Sequence, residues 1–151
     1  IEEAGFKETS LGEICFPQAK SVGCWAFSGC TATKANLQIC EEIGAWCFYK
    51  CWNLKTVLLK SFRRIGAEAF WGCVNLVELA IPEAETIGGC CFYNCLKLKL
   101  IDCQLGPDQF QCDDAQCMQG KLCPICQGEI NKCLQRGKLQ SSARKFLINV
   151  S

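Results

Sequence analysis

Cysteine is the residue type through which this chain could do chemistry. The 151-residue sequence contains sixteen cysteines and no histidine. Five of the cysteines follow Gly106, at Cys112, Cys117, Cys123, Cys126 and Cys133. A Cys-Pro-Ile-Cys turn can present two thiolates to one ion, so Cys123 and Cys126 with Cys112 and Cys117 form a candidate four-cysteine zinc site.

The same cysteine spacing fits other arrangements. The thiols could pair as disulfides in a cap over the end of the preceding structure, or they could hold no defined site. A redox dithiol lacks support, because no βαβ context of the thioredoxin kind surrounds the motif. The sequence therefore implies no cofactor beyond a possible structural zinc ion.

The missing histidine and the missing motifs narrow the function classes. Without histidine there is no imidazole general base for a cysteine or serine nucleophile, and no mixed Cys/His metal site. No G-x-S-x-G turn, phosphate loop or paired-carboxylate motif occurs. The sequence therefore predicts a protein that is not an enzyme.

Charge and hydropathy exclude two kinds of partner. A formal net charge of +1 provides no basic field for nucleic acid. Half of the residues are hydrophobic, but charges interrupt every apolar stretch before the roughly 18 residues that a bilayer span needs. We expect neither a nucleic-acid partner nor a membrane span in this chain.

Internal repeats must position whatever site exists. An apolar residue opens each unit, and the openings lie 21 or 22 residues apart, at Ile1, Val22, Ile43, Ile65 and Ile87. Phenylalanine stands five positions into every unit, at Phe6, Phe27, Phe48, Phe70 and Phe92. Cysteine stands eight positions into the last four, at Cys30, Cys51, Cys73 and Cys95, with Thr9 in the first. Registered copies of this length predict a solenoid whose stacked coils share one core.

Two further features recur along the units, a glycine column and the pattern of a short strand. Glycine follows the opening residue in the last four units, at Gly23, Gly44, Gly66 and Gly88. We expect it to permit a backbone turn that a Cβ would strain. The second half of a unit has the pattern of a short strand, as in Leu54-x-x-Val57-x-Leu59, with Val57 and Leu59 on one face and Leu58 on the other.

The units resemble the BspA-type repeats of the leucine-rich repeat superfamily, with the pattern I-G-x-x-A-F-x-x-C-x-x-L-x-x-L-x-I-P. The fourth unit matches best, from Ile65-Gly66 through Ala69-Phe70 and Cys73 to Ile81-Pro82. The resemblance covers about residues 1–103 and departs at Thr9, Ala32 and Ala35. It implies an α/β repeat solenoid of about five 21–22-residue turns, with a parallel β-sheet on one face.

Beyond Cys103 no sixth Ile-Gly opening appears. We therefore divide the chain into a solenoid over residues 1–103, a cysteine-rich cap or tail over 104–134, and a flexible C-terminal tail over 135–151. The array needs a cover at its end, because a last coil exposes an unpaired sheet edge and an apolar face.

The repeat register sorts the eleven cysteines of the solenoid. Cys30, Cys51, Cys73 and Cys95 form one inward column. Ala, Leu, Ile or Phe replaces cysteine in the other columns, so we interpret these thiols as small buried hydrophobes with weak S–H donors rather than as a metal or redox ladder. Cys15, Cys24 and Cys90 fall at positions predicted to face outward and are the expected reactive thiols.

The resemblance implies a non-enzymatic protein–protein interaction or adhesion module that binds a protein or cell-surface ligand on its sheet face. In this register the outward strand positions form two neighbouring rows. The predicted partner-binding residues in those rows are Glu13, Lys34, Asn36, Thr56, Leu58, Glu78, Ala80, Leu100 and Asp102.

A second hypothesis is a structural or scaffold fragment of a larger surface protein, with a zinc- or disulfide-stabilised cap. It rests on the position of Ile1 inside a repeat. The resemblance favours the cell surface or secretion, while a column of buried unpaired thiols suits a reducing cytoplasm equally well. The sequence leaves the compartment open.

Overall fold

The computed structural model describes residues 1–105, which form five stacked coils: 1–21, 22–42, 43–64, 65–86 and 87–105. Turns and short strands make up this part of the chain, and it contains no helix that could cross a membrane. The strands are β1 (Glu13–Cys15), β2 (Ser21–Val22), β3 (Lys34–Asn36), β4 (Glu42–Ile43), β5 (Thr56–Leu58), β6 (Arg64–Ile65), β7 (Glu78–Ala80), β8 (Thr86–Ile87) and β9 (Leu100–Asp102).

The strands of neighbouring coils pair in parallel. The three-residue strands β1, β3 and β5 form one sheet, and β7 pairs with β9 beyond it. The register places Ala35 between Ile14 and Val57, and Leu79 opposite Ile101. The predicted parallel strands and their register are therefore confirmed. Between β5 and β7 the backbone connection weakens, since the bond from Val77 N to Lys55 O is 3.5 Å long.

A second parallel sheet, which the sequence analysis did not predict, lies at the unit openings. It consists of the two-residue strands β2, β4, β6 and β8. Each of these strands places one exposed residue beside one buried residue, as in Arg64 and Ile65. Two residues are too few for alternation to be recognised in a sequence, because a strand pattern needs about four positions.

Turns, rather than helices, connect the second sheet to the three-residue strands within residues 1–105. Alternate residues of this turn segment bond in two directions. Phe48 N donates to Ala69 O of the next coil at 2.8 Å, whereas Tyr49 N donates to Trp46 O of its own coil at 3.1 Å. This alternation satisfies backbone groups without a helix.

The turn segment takes up its shape at two left-handed positions per coil. The third residue after each opening and the seventh both have positive φ, as at Trp46 (φ 56°) and Lys50 (φ 56°). Glycine meets this requirement without a steric penalty at Gly29 and Gly72 in the second and fourth coils. In the first, third and fifth coils this seventh position is occupied by Glu8, Lys50 and Asn94.

The glycines that follow the openings are required for a different reason from the one expected. None of Gly23, Gly44, Gly66 and Gly88 has a positive φ. A Cβ on Gly44 would lie 2.5 Å from Cys24 N of the preceding coil, and one on Gly23 would lie 2.7 Å from Glu3 N. The expected turn strain is therefore wrong: glycine is needed because neighbouring coils approach each other too closely for a side chain.

The five phenylalanines stack in a continuous file through the core. Ring centroids of successive members lie 5.5 Å apart for Phe6–Phe27 and Phe27–Phe48, 5.2 Å for Phe48–Phe70 and 5.8 Å for Phe70–Phe92. The last four rings are fully buried, and Phe6 in the first coil is half-buried. The predicted inward column is confirmed, and it runs through all five coils as one core.

Candidate functional site

The inward cysteine column hydrogen-bonds to the phenylalanine file. Each thiol donates to the carbonyl of the phenylalanine in the preceding coil; for Cys51 Sγ and Phe27 O the distance is 3.0 Å. The other pairs are Cys30–Phe6 at 2.9 Å, Cys73–Phe48 at 3.1 Å and Cys95–Phe70 at 3.0 Å. In the first coil Thr9 Oγ1 donates to Phe6 O at 2.6 Å. The column therefore supplies a small donor to a buried carbonyl.

Burial keeps the thiols of Cys47, Cys51 and Cys73 protonated. It raises the pKa of Cys51 to about 12, and it raises the pKa values of Cys47 and Cys73 well above the ordinary value of 9.0. The thiolate is the form that attacks electrophiles and binds metals, so these positions are poor nucleophiles and poor ligands. Residues 1–105 contain no group of three or more side chains placed to hold a metal ion.

The three cysteines expected to face outward differ in the structure. Cys15 is exposed on the sheet face and Cys24 is half-buried. Cys90 is buried, with 5% of its surface exposed, so that prediction is wrong. The same position of the repeat is exposed at Ala4 and half-buried at Trp25, Trp46 and Glu68, so its exposure differs from coil to coil and the repeat register does not fix it.

The predicted zinc ligands Cys112, Cys117, Cys123 and Cys126 lie outside the described residues. The same is true of the proposed cap or tail beyond Leu105 and of the tail over 135–151. The zinc site and these boundaries stay predictions.

The predicted partner-binding residues lie on consecutive coils, on the outer side of the three-residue strands. The middle residue of each strand is buried, as Val57 is in β5, and its neighbours point outward. Leu58 is 43% exposed. The exposed members are Glu13, Lys34, Thr56, Leu58, Glu78 and Ala80, and the half-buried ones are Asn36, Leu100 and Asp102.

A second surface was missed by the sequence analysis. It consists of segments 49–55, 71–77 and 93–99, which stack in the third, fourth and fifth coils and which we call the Trp52 ridge. Backbone bonds join them: Lys50 N donates to Trp71 O at 2.7 Å, and Lys99 N donates to Val77 O at 2.9 Å. The ridge immediately precedes the three-residue strands β5, β7 and β9.

Stacked aromatic rings open the three segments of the Trp52 ridge. The ring centroids of Tyr49 and Trp71 lie 4.9 Å apart, and those of Trp71 and Tyr93 lie 5.4 Å apart. Lys50 Nζ lies 5.1 Å from the Tyr49 centroid and 5.8 Å from the Trp71 centroid, in cation–π geometry. The sequence signal was present, since an aromatic residue follows the core phenylalanine in each of these three coils.

The extra residue of the longer units builds the outer edge of the ridge. Cys30 and Ala32 are separated by one residue in the second coil, whereas Cys51 and Leu54 are separated by two in the third. These flanking residues are buried in both coils. The inserted length therefore projects outward, and Trp52, Val74 and Leu96 occupy the same position after the inward cysteine.

Comparison with known proteins agrees with this architecture. A family model described as a BspA type leucine rich repeat region matches residues 1–111 with six copies. The match covers all the described residues and continues past Cys103, where the sequence analysis placed the end of the array. No curated protein and no solved structure matches the chain.

Proposed function

The chain belongs to the BspA-type leucine-rich repeat family, and from this membership we propose that it is a protein-binding or adhesion module whose sheet face contacts the partner. Repeats of this type are generally protein-interaction modules and generally non-enzymatic. We propose the absence of enzymatic activity for this chain as well. The raised pKa values of the buried thiols support it, because they keep the nucleophilic form scarce.

The observation that carries the proposal is the register of the outward strand positions. Glu13, Lys34 and Thr56 stand directly opposite one another on adjacent strands, and so do Glu78 and Leu100. A partner laid across the coils therefore meets one side chain per coil in a straight row. Because the backbone of every coil is bonded to its neighbours, the surface is ordered before binding, which lowers the entropic cost of association.

Leu58 is the best candidate for a binding anchor within this surface. It projects from β5 at the centre of the stack, and 43% of its surface is exposed. Thr56 lies beside it on the same outer side. An apolar side chain beside polar ones such as Thr56 and Asn36 suits an interface core with a hydrated rim.

We expect the double variant Thr56→Lys/Leu58→Asp to bind its partner at least about tenfold more weakly, because two charged side chains would have to be buried against a partner surface that fits threonine and leucine. Proteins that bind the full chain on a protein array provide the partners. Their affinities for wild type and variant are then measured by surface plasmon resonance. Thermal unfolding followed by circular dichroism checks that the variant is folded.

Thr86→Lys provides the matched control, because Thr86 is exposed on β8 of the other sheet. It introduces the same side chain and should leave affinity unchanged. If a folded Thr56→Lys/Leu58→Asp protein binds every array partner as tightly as wild type, the sheet face is not the binding surface.

A further inference from the structure

The exposed large hydrophobic side chains are concentrated on the Trp52 ridge. Within residues 1–105, Leu96 is 62% exposed, Trp52 is 59% exposed and Val77 is 42% exposed, and all three belong to this ridge. The remaining two are Leu58 on the sheet face and Ile39 in the second coil, at 43% and 37%. Large exposed apolar side chains on one ridge of a polar surface make it a candidate interaction site.

Hydrogen bonds hold the ridge in one shape. Asn75 Nδ2 donates to Trp52 O at 2.7 Å, and Asn75 Oδ1 accepts from Lys97 Nζ at 2.7 Å. One side chain thus ties the third, fourth and fifth coils together. The stacked rings of Tyr49, Trp71 and Tyr93 do the same at the start of the segments. A surface ordered in this way loses little conformational entropy when it binds.

The ring stack also shows which side chains are available. Both faces of the middle ring, Trp71, are covered by Tyr49 and Tyr93, whose centroids lie 4.9 Å and 5.4 Å away, so Trp71 offers no open face to a planar or sugar ligand. Trp52 lies outside the stack and is the aromatic side chain of the ridge that projects furthest into solvent. The contact surface is therefore made by Trp52, Val77 and Leu96.

The charge of the ridge has one sign. Segments 49–55, 71–77 and 93–99 contain four lysines and no aspartate or glutamate. The described part of the chain forms its salt bridges elsewhere, at Arg63–Glu85 and Arg64–Glu42 on the second sheet. Lys55 and Lys97 therefore have no carboxylate partner among residues 1–105. A partner that covers the apolar side chains would meet the positive charge of Lys55 and Lys97, which favours carboxylates opposite.

We propose that the Trp52 ridge is a second protein-binding surface, distinct from the sheet face, and that it takes a polypeptide segment in which aliphatic or aromatic side chains are interspersed with aspartate or glutamate. Trp52 and Leu96 contact the apolar side chains, and Lys55 and Lys97 face the carboxylates. The side-chain amide of Asn53, the exposed residue that follows Trp52, adds a polar group suited to a peptide backbone.

A random peptide library displayed on phage and selected on the full chain tests this proposal. Selected peptides should be enriched in acidic and large apolar residues. Fluorescence polarisation of a selected peptide should then show at least about tenfold weaker binding to Trp52→Ser/Leu96→Ser. Raising NaCl from about 50 mM to about 500 mM should also weaken the wild-type complex, because screening removes the charge contribution.

Two controls locate the binding. Ile39→Ser removes an exposed hydrophobic side chain away from the ridge and should leave peptide affinity unchanged. Thr56→Lys/Leu58→Asp should also retain the peptide, which separates this surface from the sheet face. Equal unfolding temperatures for wild type and variants would show that each difference in peptide affinity results from the altered surface and not from a loss of folded protein.

Several results would overturn the proposal. Selected peptides without acidic enrichment would remove the charge argument, and a peptide bound equally by Trp52→Ser/Leu96→Ser would place the contact elsewhere. Loss of the peptide in Thr56→Lys/Leu58→Asp alone would assign it to the sheet face. Binding of phosphatidylserine-containing vesicles through Trp52 and Leu96, with no peptide enriched, would show that the ridge meets a lipid surface instead.

Discussion

At the scale of single residues, the side chains of the cysteine column share one role, which is to donate a hydrogen bond to a phenylalanine carbonyl. The phenylalanine carbonyl accepts a backbone N–H from its own coil and an S–H from the next, as Phe27 O does from Cys30 N and Cys51 Sγ. Thr9 replaces cysteine in the first coil and donates to Phe6 O as well. The position thus holds a compact donor in all five coils, which gives these side chains a structural role that does not depend on the reactivity of sulfur.

This residue-scale argument predicts a loss of stability at alkaline pH. Burial places the pKa of Cys51 at about 12 in the folded chain, above its ordinary value of 9.0. Well below pH 9 both states keep the proton and the full stability is present. As the pH rises further, the unfolded chain loses a proton that the folded chain retains, so the free energy of unfolding falls, by about 1.4 kcal/mol for each pKa unit between the two states.

Urea unfolding in reducing buffer between pH 8 and pH 11 measures this effect. Cys51→Ala should show a shallower decline with pH than wild type, although its stability at pH 8 is lower. A matched exposed variant, Cys15→Ala, should keep the wild-type slope. Parallel slopes for wild type and Cys51→Ala would contradict the assignment of the effect to the buried thiol.

At the scale of elements, the turn segment and the phenylalanine file depend on each other. In the turn segment with its left-handed residues, alternate N–H groups donate to carbonyls of the next coil. These bonds hold neighbouring coils at a distance at which successive phenylalanine rings stack. The close approach that excludes a Cβ at Gly44 results from the same spacing. The repeated glycine, the shape of the turn segment and the stacking of the phenylalanine rings thus all depend on the same distance between coils.

Phe70→Ala should lower the free energy of unfolding by about 3–5 kcal/mol, because it removes a fully buried ring that stacks on both sides and leaves a cavity. Phe6→Ala is the matched comparison. Phe6 is half-buried and begins the file, so its loss should cost clearly less. Urea unfolding followed by circular dichroism gives both values. Equal losses of unfolding free energy would show that the contribution of a ring does not depend on its burial and stacking.

At the scale of the whole molecule, charge is sorted by coil. The third coil contains five basic residues and no acidic one, and the fourth contains four acidic residues and no basic one. Arg64 pairs with Glu42 of the second coil, and Arg63 pairs with Glu85 of the fourth. The basic third coil is thus paired with both of its neighbours, although exposed pairs of this kind stabilise weakly.

A double-mutant cycle on Arg63→Ala and Glu85→Ala tests this pairing. Both side chains are about half exposed, so we expect a coupling energy of about 0.2–1 kcal/mol at low salt. It should shrink at about 1 M NaCl, where screening is strong. Thermal unfolding of the four proteins provides the numbers. A coupling that is absent at low salt, or insensitive to salt, would show that the charge sorting does not act through this pair.

The repeat register is what the sequence by itself determined. Columns at fixed spacing establish which side chains face the core, because each coil can bury its apolar residues only against copies of itself. For this reason the phenylalanine file, the inward cysteines and the outward rows through Thr56 and Leu58 were all predictable. They follow from periodicity, which is a one-dimensional property.

The tertiary structure decided whatever depends on the distance and direction between coils. It showed that Gly44 avoids a close contact rather than a strained turn, and that Cys90 is buried although the same position of the other coils is not. It also brought Trp52 and Leu96 to one ridge with Asn75 between their coils. Residues more than twenty positions apart meet only when the coils stack, and the handedness of a turn is not encoded in a hydrophobic pattern.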